Sequence, residues 1–200
     1  FHREQIISTA QKLFKQNGIE KTTMDDISRV AEYSKATIYV YFKNKDEIVN
    51  AITYRSMCEL KDRLEKAIAG NEIWQDKYYA LCNTVAEYYC ENPVYFEAAT
   101  GKINVGIEKT ETSNVFNDIF DIGEQINSII ARLINMGISQ GFVKGDAAAS
   151  QTIFFFWASL SGIVRMACQK QEYLEHFVNV TKQEFLNNGF KTLLKSITIS

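Results

Sequence analysis

Proline is almost missing: Pro93 is the only one in 200 residues, and there are ten glycines. An all-β chain needs turn residues every ~8–12 positions, so this scarcity excludes a sandwich or barrel and points to helices. Histidine is equally scarce, with only His2 and His176, far apart in sequence. No HExxH, CxxC, GxSxG or phosphate-loop pattern occurs, which leaves zinc, redox-dithiol, serine-hydrolase and nucleotide-loop chemistry without support. No cofactor, metal site or catalytic residue is therefore expected. The four cysteines, Cys58, Cys82, Cys90 and Cys168, form no tight framework, which fits reduced thiols in a cytoplasmic protein. Cys82 and Cys90 fall on one expected helix, and buried structural thiols are the reading preferred over a redox pair. Long apolar runs are also lacking. The longest uncharged stretch, residues 147–164, contains Ser150, Gln151, Thr152, Ser159 and Ser161. It reads as a buried helix, since a membrane span needs ~20 predominantly apolar residues, and no membrane partner is expected. The first residues show no signal-peptide pattern, and Phe1 in place of an initiator methionine leads us to expect residues ahead of it. An excess of basic charge is missing too. The net charge is −2, which by itself argues against a nucleic-acid binder.

What is present is helical periodicity almost throughout. Ile6, Ala10, Leu13 and Phe14 recur at helical spacing, with Ile7 widening the face, and Gly18 ends the segment. Thr23 caps a second short helix, with Asp25 and Asp26 in its first turn and Met24, Ile27, Val30 and Ala31 expected inside. Ser34 caps a third helix over 35–42, and Asn44 caps a fourth that runs to about Gly70. Further helices are expected over 73–91, 93–99, 114–140, 146–169 (capped by Asp146) and 174–197, with a loop over 101–113. Three short helices joined by tight turns make a helix-turn-helix unit. Charge now separates by segment. Residues 1–45 hold eight basic and five acidic side chains, a net of +3, which leaves −5 for the remainder. The expected organisation is an all-α chain: a three-helix DNA-binding head over 1–46 and a larger body over 47–200, joined by the helix over 47–70.

Phosphate contacts position a protein on DNA, and contacts to base edges specify sequence. Thr23 stands at a helix start, where backbone N–H groups and a hydroxyl hold a phosphate. Arg29 adds charge on the second helix. Ser34 and Lys35 open the third helix and so reach the groove first. Thr37 lies one turn on and suits a base edge or a thymine methyl, while Ala36 and Val40 offer apolar contact only. Tyr39 and Tyr41 suit phosphate oxygens, and Lys45 combines its charge with the dipole of the fourth helix. The run Thr22 to Lys45 resembles the DNA-binding head of the TetR family of transcriptional regulators. The resemblance rests on Gly18, Thr23, Ile27, Ala31 and the pattern Ser34-Lys35-x-Thr37-Ile38-Tyr39-x-Tyr41-Phe42-x-x-Lys45, over about the first 48 residues. Three positions depart from the family pattern. Glu32 stands where glycine is usual in the turn, Ala36 where glycine is frequent, and Val40 where a polar or aromatic residue is frequent. The first forces a less favourable backbone.

The resemblance implies a repressor that binds palindromic operator DNA as a homodimer, with a small-molecule effector site in the body. Two wide-faced helices near 146–169 and 174–197 suit the dimer interface. The first carries Phe154, Phe155, Phe156 and Trp157 in succession. An aromatic set, Trp74, Tyr78, Tyr88, Tyr89, Tyr95, Phe96, Phe116, Phe120 and Trp157, is the candidate effector site. Glu97, Glu108 and Glu124 are candidate partners for a cationic ligand. The alternative is a helical small-molecule-binding or enzymatic protein with a vestigial head.

Overall fold

The computed structural model describes residues 1–100, 114–145 and 150–199. Among them the chain is all-α, and the one β feature is an isolated bridge between Val143 and Thr198. The loop expected over 101–113 and the Asp146 cap lie outside the described residues. The described residues divide into two compact units, 1–56 with 114–120, and 57–100 with 121–145 and 150–199. The division falls within the fourth helix.

In the first unit, helix α1 (His2–Asn17) buries Ile6, Ile7, Ala10, Leu13 and Phe14, the face that its periodicity defines. Gly18 ends it at φ 85°, ψ 155°, a region essentially reserved for glycine. Buried Thr22 then returns its hydroxyl to the Gly18 carbonyl at 2.9 Å. Helix α2 (Met24–Val30) starts in a full capping box. The Asp26 N–H donates to the Thr23 hydroxyl at 3.1 Å, and the Thr23 N–H donates to the Asp26 carboxylate at 3.0 Å. Hydrogen bonds from Thr23 hold the Asp26 carboxyl below its ordinary range. One expected core residue is corrected: Val30 is 53% exposed, and Ser28 takes a buried place instead. The inward stripe centres on Ile27, Ser28 and Ala31, and at 3.6 residues per turn Val30 falls outside it. Helix α3 (Lys35–Tyr41) is capped by Ser34, whose hydroxyl accepts from the Thr37 N–H at 3.1 Å. Ile38 and Phe42 are its buried anchors. Helix α4 (Lys45–Ala69) is capped by the Asn44 carbonyl, which accepts from the Glu47 N–H at 2.9 Å. Its residues Ile48 and Ile52 belong to the first unit, and Leu60, Leu64 and Ile68 to the second.

The second unit is built around helix α5 (Trp74–Glu91). Helix α6 (Pro93–Thr100) follows, with proline at its first position, where its missing N–H costs nothing. Helix α7 (Asn114–Ser139) lays Ile122, Ile126, Ile129, Ile130, Leu133 and Ile134 into this core. Helix α8 (Ser150–Gln169) buries the stripe Phe156, Leu160, Val164 and Ala167 and packs on α5. It is the one described helix long and apolar enough to cross a membrane by length and composition. The final helix expected over 174–197 is interrupted. A single turn, α9 (Gln171–Tyr173), leads into a π-helical turn, Leu174–Val178, closed by Asn179 at φ 56°. Helix α10 (Lys182–Ile197) then starts afresh from a Thr181–Glu184 capping box and packs along α8.

Candidate nucleic-acid interface

The turn between α2 and α3 decides how α3 is presented. Glu32 sits at φ 59°, the left-handed conformation that glycine adopts at no steric cost. Its N–H donates to the Arg29 carbonyl at 3.3 Å, and the Tyr33 N–H reaches back to the Ser28 carbonyl at 3.0 Å. These two bonds form the Schellman arrangement that closes a helix on a left-handed residue. The glutamate therefore holds this turn at the expense of local strain. The Tyr33 hydroxyl fixes the turn to α1, donating to Gln5 Oε1 at 2.7 Å and lying 2.7 Å from His2 Nδ1. Arg3 covers the Phe42 ring at 5.0 Å. Nothing in the residue pattern of α1 marked these struts, because they join side chains about 30 positions apart.

The turn leaves one side of α3 in solvent. Ser34, Lys35, Ala36, Tyr39, Val40 and Tyr41 are exposed, and Thr37 is half-buried. Val40 is 79% exposed and Tyr39 51%. Thr23 and Arg29 are exposed on α2. Several of these side chains already have partners. The Ser34 and Thr37 hydroxyls lie 2.8 Å apart within the cap. Arg29 pairs with Asp26 at 2.7 Å, and Lys35 with Asp25 at 2.5 Å. The bond to Asp25 raises the Lys35 pKa, so this ammonium stays charged. Exposed pairs of this kind are weak, and a phosphate can replace the carboxylate.

Lys45 is placed differently from the sequence reading. Its Nζ donates to the carbonyls of Ile19 at 2.8 Å, Thr22 at 3.2 Å and Glu20 at 3.5 Å. The ammonium ties the α1–α2 connection to the start of α4 and is directed into the head, not outward.

Residues 6–52 match the family described as bacterial regulatory proteins, tetR family. The probable HTH-type transcriptional regulator ArpR of Pseudomonas putida is 38% identical over 170 residues, which covers 81% of this chain and 78% of that one. The chain belongs to the TetR family. It is a transcriptional regulator with a helix-turn-helix DNA-binding head, and not an enzyme. The HTH-type transcriptional regulator TtgR of Pseudomonas putida is 26% identical over 171 residues, 82% of this chain and 78% of that one. A solved SmeT–triclosan complex shares the fold over all of this chain and 92% of its own, with TM-score 0.67 and 17% identity.

The body of this TetR-family chain separates the aromatic set into core and surface. Trp74, Tyr78, Tyr88, Tyr89, Tyr95 and Phe96 are buried. The Trp74 indole N–H donates to the Leu133 carbonyl at 2.7 Å, and the Tyr78 hydroxyl to the Phe190 carbonyl at 2.8 Å. Burial pushes both the Tyr78 and the Tyr89 phenols up, so they remain neutral donors. Trp157 is half-buried and Phe120 is exposed, while the Phe116 side chain lies outside the described residues. Glu97 is already matched, accepting from Arg165 Nε at 2.8 Å and from the Tyr89 hydroxyl at 3.2 Å. Glu124 accepts from Asn127, and Glu108 lies outside the described residues. None of the set lines the 550 Å³ concavity bordered by Glu65, Lys77, Arg132 and Met136. A ligand there meets an Arg132–Glu65 ion pair at 2.6 Å, not aromatic faces.

Proposed function

We propose that this TetR-family regulator is a cytoplasmic, dimeric repressor that binds a palindromic operator in double-stranded DNA and is released by a small-molecule effector in its body. The observation that carries the DNA reading is the solvent-facing side of α3. Ala36, Thr37 and Val40 read base edges and thymine methyls. Lys35, Arg29, Tyr39, Tyr41 and the Thr23 helix start hold phosphates. Lys35 and Arg29 exchange Asp25 and Asp26 for phosphate oxygens on binding. Lys45 supports this surface from behind.

The dimer reading is supported by an apolar face on the body that is exposed among the described residues. Phe154 and Phe155 are exposed on α8, opposite its buried stripe. Beside them a 440 Å³ concavity lined by Ser159, Ile163, Phe185 and Gly189 lies between α8 and α10. A second copy covering this face gives the two-fold symmetry that matches two half-sites. The effector reading draws on the triclosan-bound SmeT relative of the same fold. The effector acts by binding more tightly to a spacing of the heads that no longer fits both half-sites.

Fluorescence anisotropy with duplex DNA from upstream of the chain's own gene tests the reading. Specific binding is expected. Lys35→Ala should lower the salt slope by about one, and Thr37→Ala should change base preference. Affinity no greater than for unrelated DNA at the same salt would overturn it and favour a vestigial head.

A further inference from the structure

Cys90 and Cys168 meet although they are far apart in sequence. Cys90 is the penultimate residue of α5 and Cys168 that of α8. Their sulfurs are 3.3 Å apart. Lys182, the first residue of α10, places its Nζ 3.1 Å from Cys90 Sγ. Three helix ends thus bring two thiols and an ammonium together. The expectation of buried, inert cysteines holds for Cys82, which is fully buried with its thiol pushed up to about 12. It fails for Cys90, which is exposed. The partner of Cys90 is not its helix neighbour Cys82 but a residue on α8.

We propose that Cys90 and Cys168 form a reversible oxidation site for hydroperoxides. Cys90 is the exposed sulfur of the two and has the Lys182 ammonium against it, which makes it the attacking sulfur. Half-buried Cys168, whose thiol burial pushes up, stays protonated until it is needed. The Cys90 sulfur attacks the terminal oxygen of the hydroperoxide. An S–O bond forms, the O–O bond breaks, and the leaving alkoxide takes a proton to become an alcohol. The Cys168 sulfur then attacks Cys90, forming the S–S bond and expelling the oxygen as water together with the Cys168 proton. Two thiols lose two electrons, and the hydroperoxide becomes an alcohol and water. The sulfurs need to close from 3.3 Å to ~2.05 Å. Glu91, the residue after Cys90, pairs with Arg63 of α4 at 2.6 Å.

The full reduced chain treated with a slight excess of cumene hydroperoxide, followed by thiol counting and peptide mapping, tests this. Two of the four thiols should disappear together, with the cross-linked peptide joining Cys90 to Cys168 and a dithiol reductant restoring both. Cys168→Ser should stop at a Cys90 sulfenic acid trapped by dimedone. Lys182→Gln should slow Cys90 oxidation about tenfold. A mapped bond elsewhere, or loss of Cys58 and Cys90 at equal rates in the wild-type chain, would overturn the proposal. The readout is on the thiols alone and is independent of DNA binding.

Discussion

Lys45 and Glu32 show how single side chains hold the head in shape. The ammonium of Lys45 answers three carbonyls of the α1–α2 connection. Lys45→Met leaves those carbonyls without it and should cost about 1–2 kcal/mol in chemical denaturation. The salt slope of operator binding should stay unchanged in the folded protein. Unchanged stability with a slope lowered by one would return Lys45 to the phosphate contacts. Glu32 carries the opposite sign. Its left-handed backbone is strained for a residue with a Cβ, and glycine relieves that strain while adding freedom to the unfolded chain. Glu32→Gly should raise stability by about 0.5–1 kcal/mol, seen as a higher denaturation midpoint, and it removes one negative charge beside the proposed DNA surface. The departure of Glu32 from the family glycine was legible in the sequence. The Lys45 contacts were not, because a lysine at a helix start reads the same whether it turns toward DNA or toward the head.

At the scale of elements, the body depends on close approach. A Cβ built on Gly137 of α7 would lie 2.6 Å from Trp74 Cε2 and closer still to Val143 Cγ2. Trp74 has no room to give, being buried, hydrogen-bonded to Leu133 and stacked on Phe142 at 5.9 Å. Gly137→Ala should therefore cost about 1–3 kcal/mol by overpacking, with a lower Tm and altered tryptophan fluorescence. An unchanged Tm would mean that α7 can slide away from α5. The break before α10 is an element the periodicity concealed. Apolar residues continue at helical spacing through 174–197, yet Asn179 turns left-handed and the chain restarts at Thr181. The signal was present: Thr181 and Glu184 are spaced as a capping box, a helix start in the middle of an apparent helix.

For the whole molecule, α8 is the revealing element. Its composition is apolar almost all round, but among the described residues it is the Phe156, Leu160, Val164 and Ala167 side that is buried. Phe155 remains 68% exposed. Phe155→Glu should shift the sedimentation coefficient from dimer toward monomer and weaken operator binding, while leaving helix content unchanged. A variant that remains a dimer would place the interface elsewhere.

The sequence by itself determined the helical class, the caps of α2, α3 and α4, the core face of α1 and the solvent-facing residues of α3. These depend on spacings of a few residues, and such spacings are written locally in the chain. The tertiary structure decided the roles of residues whose chemistry suits several places. It turned Lys45 inward, matched Glu97 to Arg165, assigned most of the aromatic set to the core, and brought Cys90 to Cys168 and Lys182. Contacts across tens of residues are settled by which faces the helices bury against each other, and no local pattern encodes them. The scarcity of proline announced the helices, and only their packing showed which of their ends meet.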